Sequence, residues 1–265
     1  DGFLDDGVTP SFSIVEGSAN EAQISVQYNG DSIPAENSHI FSLTVNDGSD
    51  DSEISIGEDI FISEYCEHPN DAQGRYFEIY NPTNQIISLD NYELWEISGG
   101  GEWPEDEYSL TGLTINPGEA IAITRRNESN GAAAELIDFD NINFINWPGY
   151  NPNGDDAVGI VYNGQLIDAI GGTVDPAGNV WSVAGELEGT KDVQLIRKDS
   201  VVGGNIDESC LTTTSEGSIE NILCWDLSAG TTADNSEWVV NKDNVNSFEN
   251  AGFHYCATCD NYLTV

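Results

Sequence analysis

From Asp59 to Ile97 the chain reads D-I-F-I-S-E-Y-C-E-H-P-N-D-A-Q-G-R-Y-F-E-I-Y-N-P-T-N-Q-I-I-S-L-D-N-Y-E-L-W-E-I. Short apolar and aromatic runs are cut at close intervals by Asn, Pro, Gly and Asp, which predicts strands joined by turns. The strands are Asp59 to Tyr65, Arg75 to Tyr80, Ile86 to Leu89 and Tyr92 to Ile97, with Asn81-Pro82-Thr83-Asn84 closing the second. The same pattern recurs downstream. Ala157 to Tyr162, Asn163-Gly164 and Gln165 to Ile170 read as a two-residue hairpin, because Asn-Gly supplies the positive φ angles of a type I′ turn. In Asn116-Pro117-Gly118 the proline presets φ and the glycine is free to turn left-handed. Trp238-Val239-Val240 reads as a late core strand, and helical signal is confined to Ala132 to Leu136.

Short strands also precede Asp59. Ser11 to Val15 is one. Ala22 to Tyr28 alternates Ile24, Val26 and Tyr28 against Gln23, Ser25 and Gln27. His39 to Val45 puts Phe41, Leu43 and Val45 on one face, and Ile54 and Ile56 form a fourth short piece. The run V-T-P-S-F-S-I-V-E-G-S-A-N-E-A-Q-I-S-V-Q-Y resembles the first half of an immunoglobulin-like or Calx-β-like sandwich. A full sandwich needs about seven strands. These strands therefore either extend the sheet of the following domain or are completed by another chain through strand addition.

From Asp59 onward the chain resembles the lamin-tail domain, an immunoglobulin-like β-sandwich. The matching pieces are I-F-I-S-E-Y at 60–65, F-E-I-Y-N at 77–81, L-D-N-Y-E-L at 89–94 and L-T-I-N-P-G-E-A-I-A-I at 113–123. N-G-D-D-A-V-G-I-V at 153–161, G-Q-L-I-D-A-I-G at 164–171 and V-Q-L-I-R-K at 193–198 continue in order. N-S-E-W-V-V at 235–240 and F-E-N-A-G-F-H at 248–254 close the series. The expectation is an all-β protein in three parts. Residues 1–58 form an arm and partial β-region, 59–254 a lamin-tail-like sandwich, and 255–265 a tail whose N-Y-L-T-V could add a short strand. Segments 99–108, 125–153, 173–192 and 203–235 are long loop insertions, where function more often resides. The resemblance implies a binding or structural module, of a type often appended to secreted hydrolases or adhesins.

Charge narrows the partners. Against 47 acidic residues stand 7 basic ones, a formal net charge of −40. Phosphates are repelled and no Lys/Arg stripe exists to release counterions, so nucleic acid is excluded as a partner. Anionic membranes are disfavoured for the same reason, and no apolar run is long enough to span a bilayer. Packing or assembly of such a chain needs salt or divalent cations, as in an extracellular, calcium-rich medium. Asp1 and the absence of methionine read as a processed, secreted chain.

Cys210 and Cys224 bracket a Thr/Ser/Gly-rich loop and suit a disulfide in a secreted chain. Cys256-Ala-Thr-Cys259 suits a local disulfide; as a zinc half-site it lacks a second pair at the right spacing. Cys66 is left free or pairs with a tail cysteine.

No catalytic constellation stands out. His39, His68 and His254 are the only histidines, and no G-x-S-x-G elbow occurs. Glu64 and Glu78 lie on neighbouring strands and could face each other as a glycosidase pair. Both fall within the lamin-tail signature, which makes them framework. Calcium is the better-matched cofactor, since hard cations take six to eight oxygens from Asp/Asn-rich loops. The candidate ligands are Asp47, Asp50 and Asp51; Asp138 and Asp140 with Asn141 and Asn143; and Asp155 and Asp156, for which a hydrogen-bonded turn is the competing reading. Trp103, Trp147 and Tyr150 offer a carbohydrate-stacking platform or, alternatively, pack insertion loops onto the sandwich.

Residues 1–10 and 255–265 are too polar and short to order themselves, which points to terminal segments engaged with neighbours. The leading expectation is a non-catalytic extracellular subunit. It would self-assemble into a filament, tube or surface layer by strand addition, with calcium screening its charge. The alternatives are an adhesive or carbohydrate-binding module and an accessory domain of a secreted hydrolase.

Overall fold

A computed structural model describes residues 11–16, 22–27, 40–42, 59–69, 74–99, 101–125, 143–173, 180–215, 217–242, 245, 251–257, 259 and 262–264. The strands are β1 (Ser11–Glu16), β2 (Ala22–Gln27), β3 (Ile40–Ser42), β4 (Phe61–Cys66), β5 (Tyr76–Tyr80), β6 (Ile87–Ser88), β7 (Tyr92–Ile97), β8 (Asp106–Ser109) and β9 (Thr114–Ile115). They continue with β10 (Ala120–Thr124), β11 (Phe144–Asn146), β12 (Ala157–Tyr162), β13 (Gln165–Ile170), β14 (Gln194–Arg197), β15 (Thr212–Thr213) and β16 (Ile219–Glu220). One helix, α1 (Ile222–Ala229), precedes β17 (Trp238–Asn241) and β18 (Tyr262–Thr264).

The chain divides into two units, Asp1–Leu43 with Leu263–Val265, and Thr44–Tyr262. In the first, β1 and β2 form an antiparallel ladder from Ser11↔Gln27 to Glu16↔Ala22, and β3 pairs with β18. The strands expected around Ser11, Ala22 and Phe41 are present, and so is the tail strand. The fourth short piece at Ile54 and Ile56 lies outside the described residues.

The second unit is a sandwich. A six-stranded sheet runs β11-β10-β5-β4-β14-β17, and a four-stranded sheet runs β13-β12-β7-β8. All neighbours are antiparallel except β10 and β11. Ile62, Tyr65, Phe77, Ile79, Ile121, Ile123 and Leu195 of the larger sheet share one buried cluster with Leu94, Val158, Ile160 and Ile170 of the smaller. Both turns predicted from sequence hold. Asn163 (φ 51°) and Gly164 (φ 77°) join β12 to β13, and Gly118 (φ 68°) occupies the Asn116–Glu119 turn, where the Glu119 amide donates to the Asn116 carbonyl at 3.1 Å.

Burial on both faces departs from the alternation of a half-solvated antiparallel sheet: every residue of β4, β5 and β10 is buried. On the outer face of the larger sheet lie Val245, Ala251, Cys256 and Cys259. Phe61, Tyr80 and Ala120 pack on Cys256 and Cys259, and Cys66, Tyr76 and Ala122 pack on Val245 and Ala251. On the outer face of the smaller sheet, Trp95, Val161 and Leu166 are capped by Trp103, Ile206 and Ile219 of the insertions.

The helix α1 lies inside the Cys-bearing insertion, where no helix was expected. Its signal is legible in retrospect: Asn221 at the cap, the apolar run Ile222-Leu223-Cys224-Trp225, and Gly230 (φ 63°) at the end. Ala132 to Leu136, where helix was expected, lies outside the described residues.

Candidate functional site

The titratable chemistry of the second unit concentrates at three places. The first is the outer face of the six-stranded sheet. A register shift between Ile62 and Glu64 sets Ser63 in a bulge and places Glu64 directly opposite Glu78. Glu64 is 1% exposed and Glu78 0%. The Tyr76 hydroxyl donates a short hydrogen bond to Glu64 Oε1, and Gln194 Nε2 donates to the same oxygen at 2.6 Å. Ser63 Oγ donates to Glu78 Oε1 at 2.6 Å, and the Gly252 amide donates to Glu78 Oε2 at 2.6 Å. Burial pushes Glu64 up to about 7, against the pull of the Tyr76 and Gln194 hydrogen bonds. Burial, then the charge of Glu64, pushes Glu78 up to about 8, while bonds from Ser63 and the Gly252 and Phe253 amides pull the other way. Together the two carboxyls hold a proton at neutral pH. The arrangement has the proton chemistry of an acid/base pair and none of the access, because the C-terminal segment closes it off.

The second is one end of the intersheet space. Glu96 shares the inward face of β7 with Tyr92 and Leu94, and burial followed by the charge of Asp156 pushes it up to about 8. Asp156 is pushed up to about 6 by burial and by neighbouring Asp155. Its two oxygens accept from the Gly99 amide at 3.1 Å and the Asn153 amide at 3.0 Å, so it clasps a turn. Arg75 pairs with Glu67 at 2.8 Å and donates to the Asn151 carbonyl at 3.3 Å. Tyr65 and Tyr150 are fully buried nearby, and among the described residues their hydroxyls have no hydrogen-bond partner.

The third, missed by the sequence reading, is a buried ion pair between the sheets. Arg197 Nη1 lies 3.1 Å from Asp168 Oδ2, both side chains fully buried, and Nη2 lies 2.8 Å from Glu237 Oε2. Asp168 also accepts from the Ile62 amide at 2.8 Å and the Asn205 amide at 3.4 Å. The guanidinium carbon stands 4.5 Å from the Trp238 ring centroid and 5.7 Å from that of Phe61. Burial pushes Asp168 up and Arg197 pulls it back down. In V-Q-L-I-R-K, Arg197 is the cation that falls inside the strand, with Lys198 just past its end, and that position was the available signal.

The expected ligand sets fare differently. Asp47, Asp50, Asp51, Asp138 and Asp140 lie outside the described residues. Among the described residues no group of three or more His, Cys, Asp or Glu could hold a metal ion, and Asp156 follows the hydrogen-bonded-turn reading. The aromatic platform needs correction: Trp147 is 2% exposed and Tyr150 0%, and they stack on each other with centroids 5.8 Å apart. They belong to the core cluster, where their rings bury more area than an exposed loop surface could offer. Trp103 is half-buried, stacked near Trp95 and donating to Asn221 Oδ1 at 3.3 Å. Both expected disulfides are present, Cys210–Cys224 and Cys256–Cys259, and Cys66 is a buried free thiol.

Residues 55–173 match the family model of the lamin tail domain. The resemblance read from the ordered motifs holds over that segment, together with the all-β sandwich it implied. The six-stranded sheet is completed from beyond the matched segment, by β14 and β17. No curated protein matches the chain. Among solved structures, a DUF4876 family protein from Bacteroides thetaiotaomicron aligns at 13% identity and a TM-score of 0.34. That match covers 61% of this chain and 65% of the other, just under two thirds of its length.

Proposed function

We propose that this lamin-tail-type protein is a non-catalytic, extracellular structural subunit that joins to copies of itself by strand exchange. The observation that carries the reading is the pairing of β18, near the C-terminal end, with β3 of the N-terminal unit. The described ladders of that unit are two-stranded, and an isolated two-stranded ladder is marginal in water. Open strand edges are templates for another strand. A β18 that pairs with β3 of the next copy repeats the same bond and propagates without closing.

The charge of −40 sets the condition. Copies repel unless salt or calcium screens them. Two disulfides fit an oxidising compartment. The glycan-binding alternative relied on Trp103, Trp147 and Tyr150; with two of the three buried, no observation favours it.

The test is negative-stain imaging with light scattering, in seawater-like salt with calcium and then with chelator. Polymers or discrete oligomers are expected with calcium, monomers after chelation, and monomers throughout once residues 262–265 are deleted. A monodisperse monomer in both media overturns the reading.

A further inference from the structure

On the outer face of the six-stranded sheet, the two most deeply buried glutamates among the described residues lie side by side, and among those residues no cation is bonded to either. On β4 the neighbours are Ser63 and the Cys66 thiol, the latter held protonated by burial. On β5 Tyr76 donates to Glu64. On β10 the residue opposite Glu78 is Ala122, and on β14 the neighbours are Ile196 and the neutral Gln194. Arg197, also on β14, is committed to Asp168 and Glu237. The sequence from 243 to 261, to which the described residues of the cover belong, contains no Lys or Arg. Its one titratable base is His254, lodged against Phe61 and Tyr80 at centroid distances of 5.7 and 4.8 Å. Burial, then the charge of Arg197, pushes His254 down to about 4, so it is neutral near pH 7.

The cover is tied to the sheet through this pair. The Gly252 amide donates to Glu78 Oε2, and the Phe253 amide also bonds that carboxyl. Ala251 and Cys256 fill the apolar positions on either side, while Phe253 and Tyr255 point outward, 66% and 54% exposed. One line of chain thus alternates between apolar anchors and a carboxyl that must stay desolvated.

We propose that residues 251–257 form a strap held shut by a proton shared between Glu64 and Glu78, and that ionisation of the pair releases it from the sheet. Two adjacent carboxylates sealed from water and from any cation repel each other and lose hydration. Opening the strap admits water and relieves both costs. In the open state the carboxyls titrate near the ordinary range, about 4.3. In the closed state they hold protons to about 7 and about 8. The closed state therefore binds more protons between those limits. Closure is strongest at acid pH and weakens as pH rises from the ordinary carboxylate range through about 8. The strap runs on into the segment bearing β18, so its release would loosen the strand used in the proposed exchange. That link rests on the exchange reading, whereas the strap does not.

The test is amide hydrogen exchange on the full chain from pH 5.5 to 9, expressed as protection factors so that the intrinsic pH dependence divides out. Protection at Gly252 and Phe253 is expected to fall by roughly tenfold or more, the change that one unit of pKa shift produces, while Ile121 and Ile123 on β10 keep theirs. In the double variant Glu64→Gln, Glu78→Gln the fall disappears. Glu64→Gln alone keeps the acceptor for Tyr76 and Gln194 and should reduce the fall without abolishing it; this guards against a double variant that fails to fold. Flat wild-type protection, the same fall in the double variant, or core amides falling in step would each overturn the strap.

Discussion

The two outer faces of the sandwich are both covered, and by different chemistry. On the four-stranded sheet, Trp95, Val161 and Leu166 meet Trp103, Ile206 and Ile219, an apolar seat under an insertion stapled by Cys210–Cys224. On the six-stranded sheet the cover lies over Glu64 and Glu78 and is tied to one of them by backbone amides. Apolar burial carries no proton and so has no direct dependence on pH. A buried acid pair makes closure a function of pH. One sandwich therefore carries a fixed cover and a titratable one. Differences in local opening follow from what each segment buries.

The change that should break the contrast most completely is Arg197→Met. Arg197 touches both sides: its partner Asp168 accepts from Asn205 of the insertion, and its guanidinium lies beside Phe61, on which His254 of the strap rests. Removing it leaves Asp168 buried without a counter-charge, at a cost of about 4 kcal/mol. Urea unfolding should report that loss, and exchange should show both covers loosened. Next in size is Trp95→Ala. It empties the seat of the insertion at a cost of about 3 kcal/mol. Denaturation midpoints should fall equally at pH 5.5 and 9, with strap protection unchanged. The smallest effect separates the two staples. Closing a loop over a separation of 14 residues is worth about 3 kcal/mol in the chain-entropy model, against about 2 kcal/mol for a separation of three. Cys210→Ser with Cys224→Ser should therefore destabilise by about 1 kcal/mol more than Cys256→Ser with Cys259→Ser, as read from urea midpoints.

Glu64 and Glu78 show how far sequence reading reached into the site. Their positions on two adjacent strands were enough to suggest that they face each other, and they do. That the pair is closed off from solvent followed only from tertiary structure, with a contact across 174 residues, from Gly252 to Glu78. The metal expectation for Asp156 met the same limit. A local D-D pattern suits either a calcium loop or a clasped turn, and the Gly99 amide, 57 residues away, favours the clasp.

What the sequence determined by itself was local. The strands, the Asn163-Gly164 hairpin, the Asn116–Glu119 turn and the two disulfides each follow from residue chemistry acting over a few neighbours or one short loop. Tertiary structure alone decided which faces are covered, that Trp147 and Tyr150 are core and not surface, and that Arg197 answers Asp168 across the two sheets. The physical reason is range. A turn or a strand pattern is fixed by steric and hydrogen-bonding preferences within a short window, whereas the burial of a carboxylate depends on which distant segment removes its water.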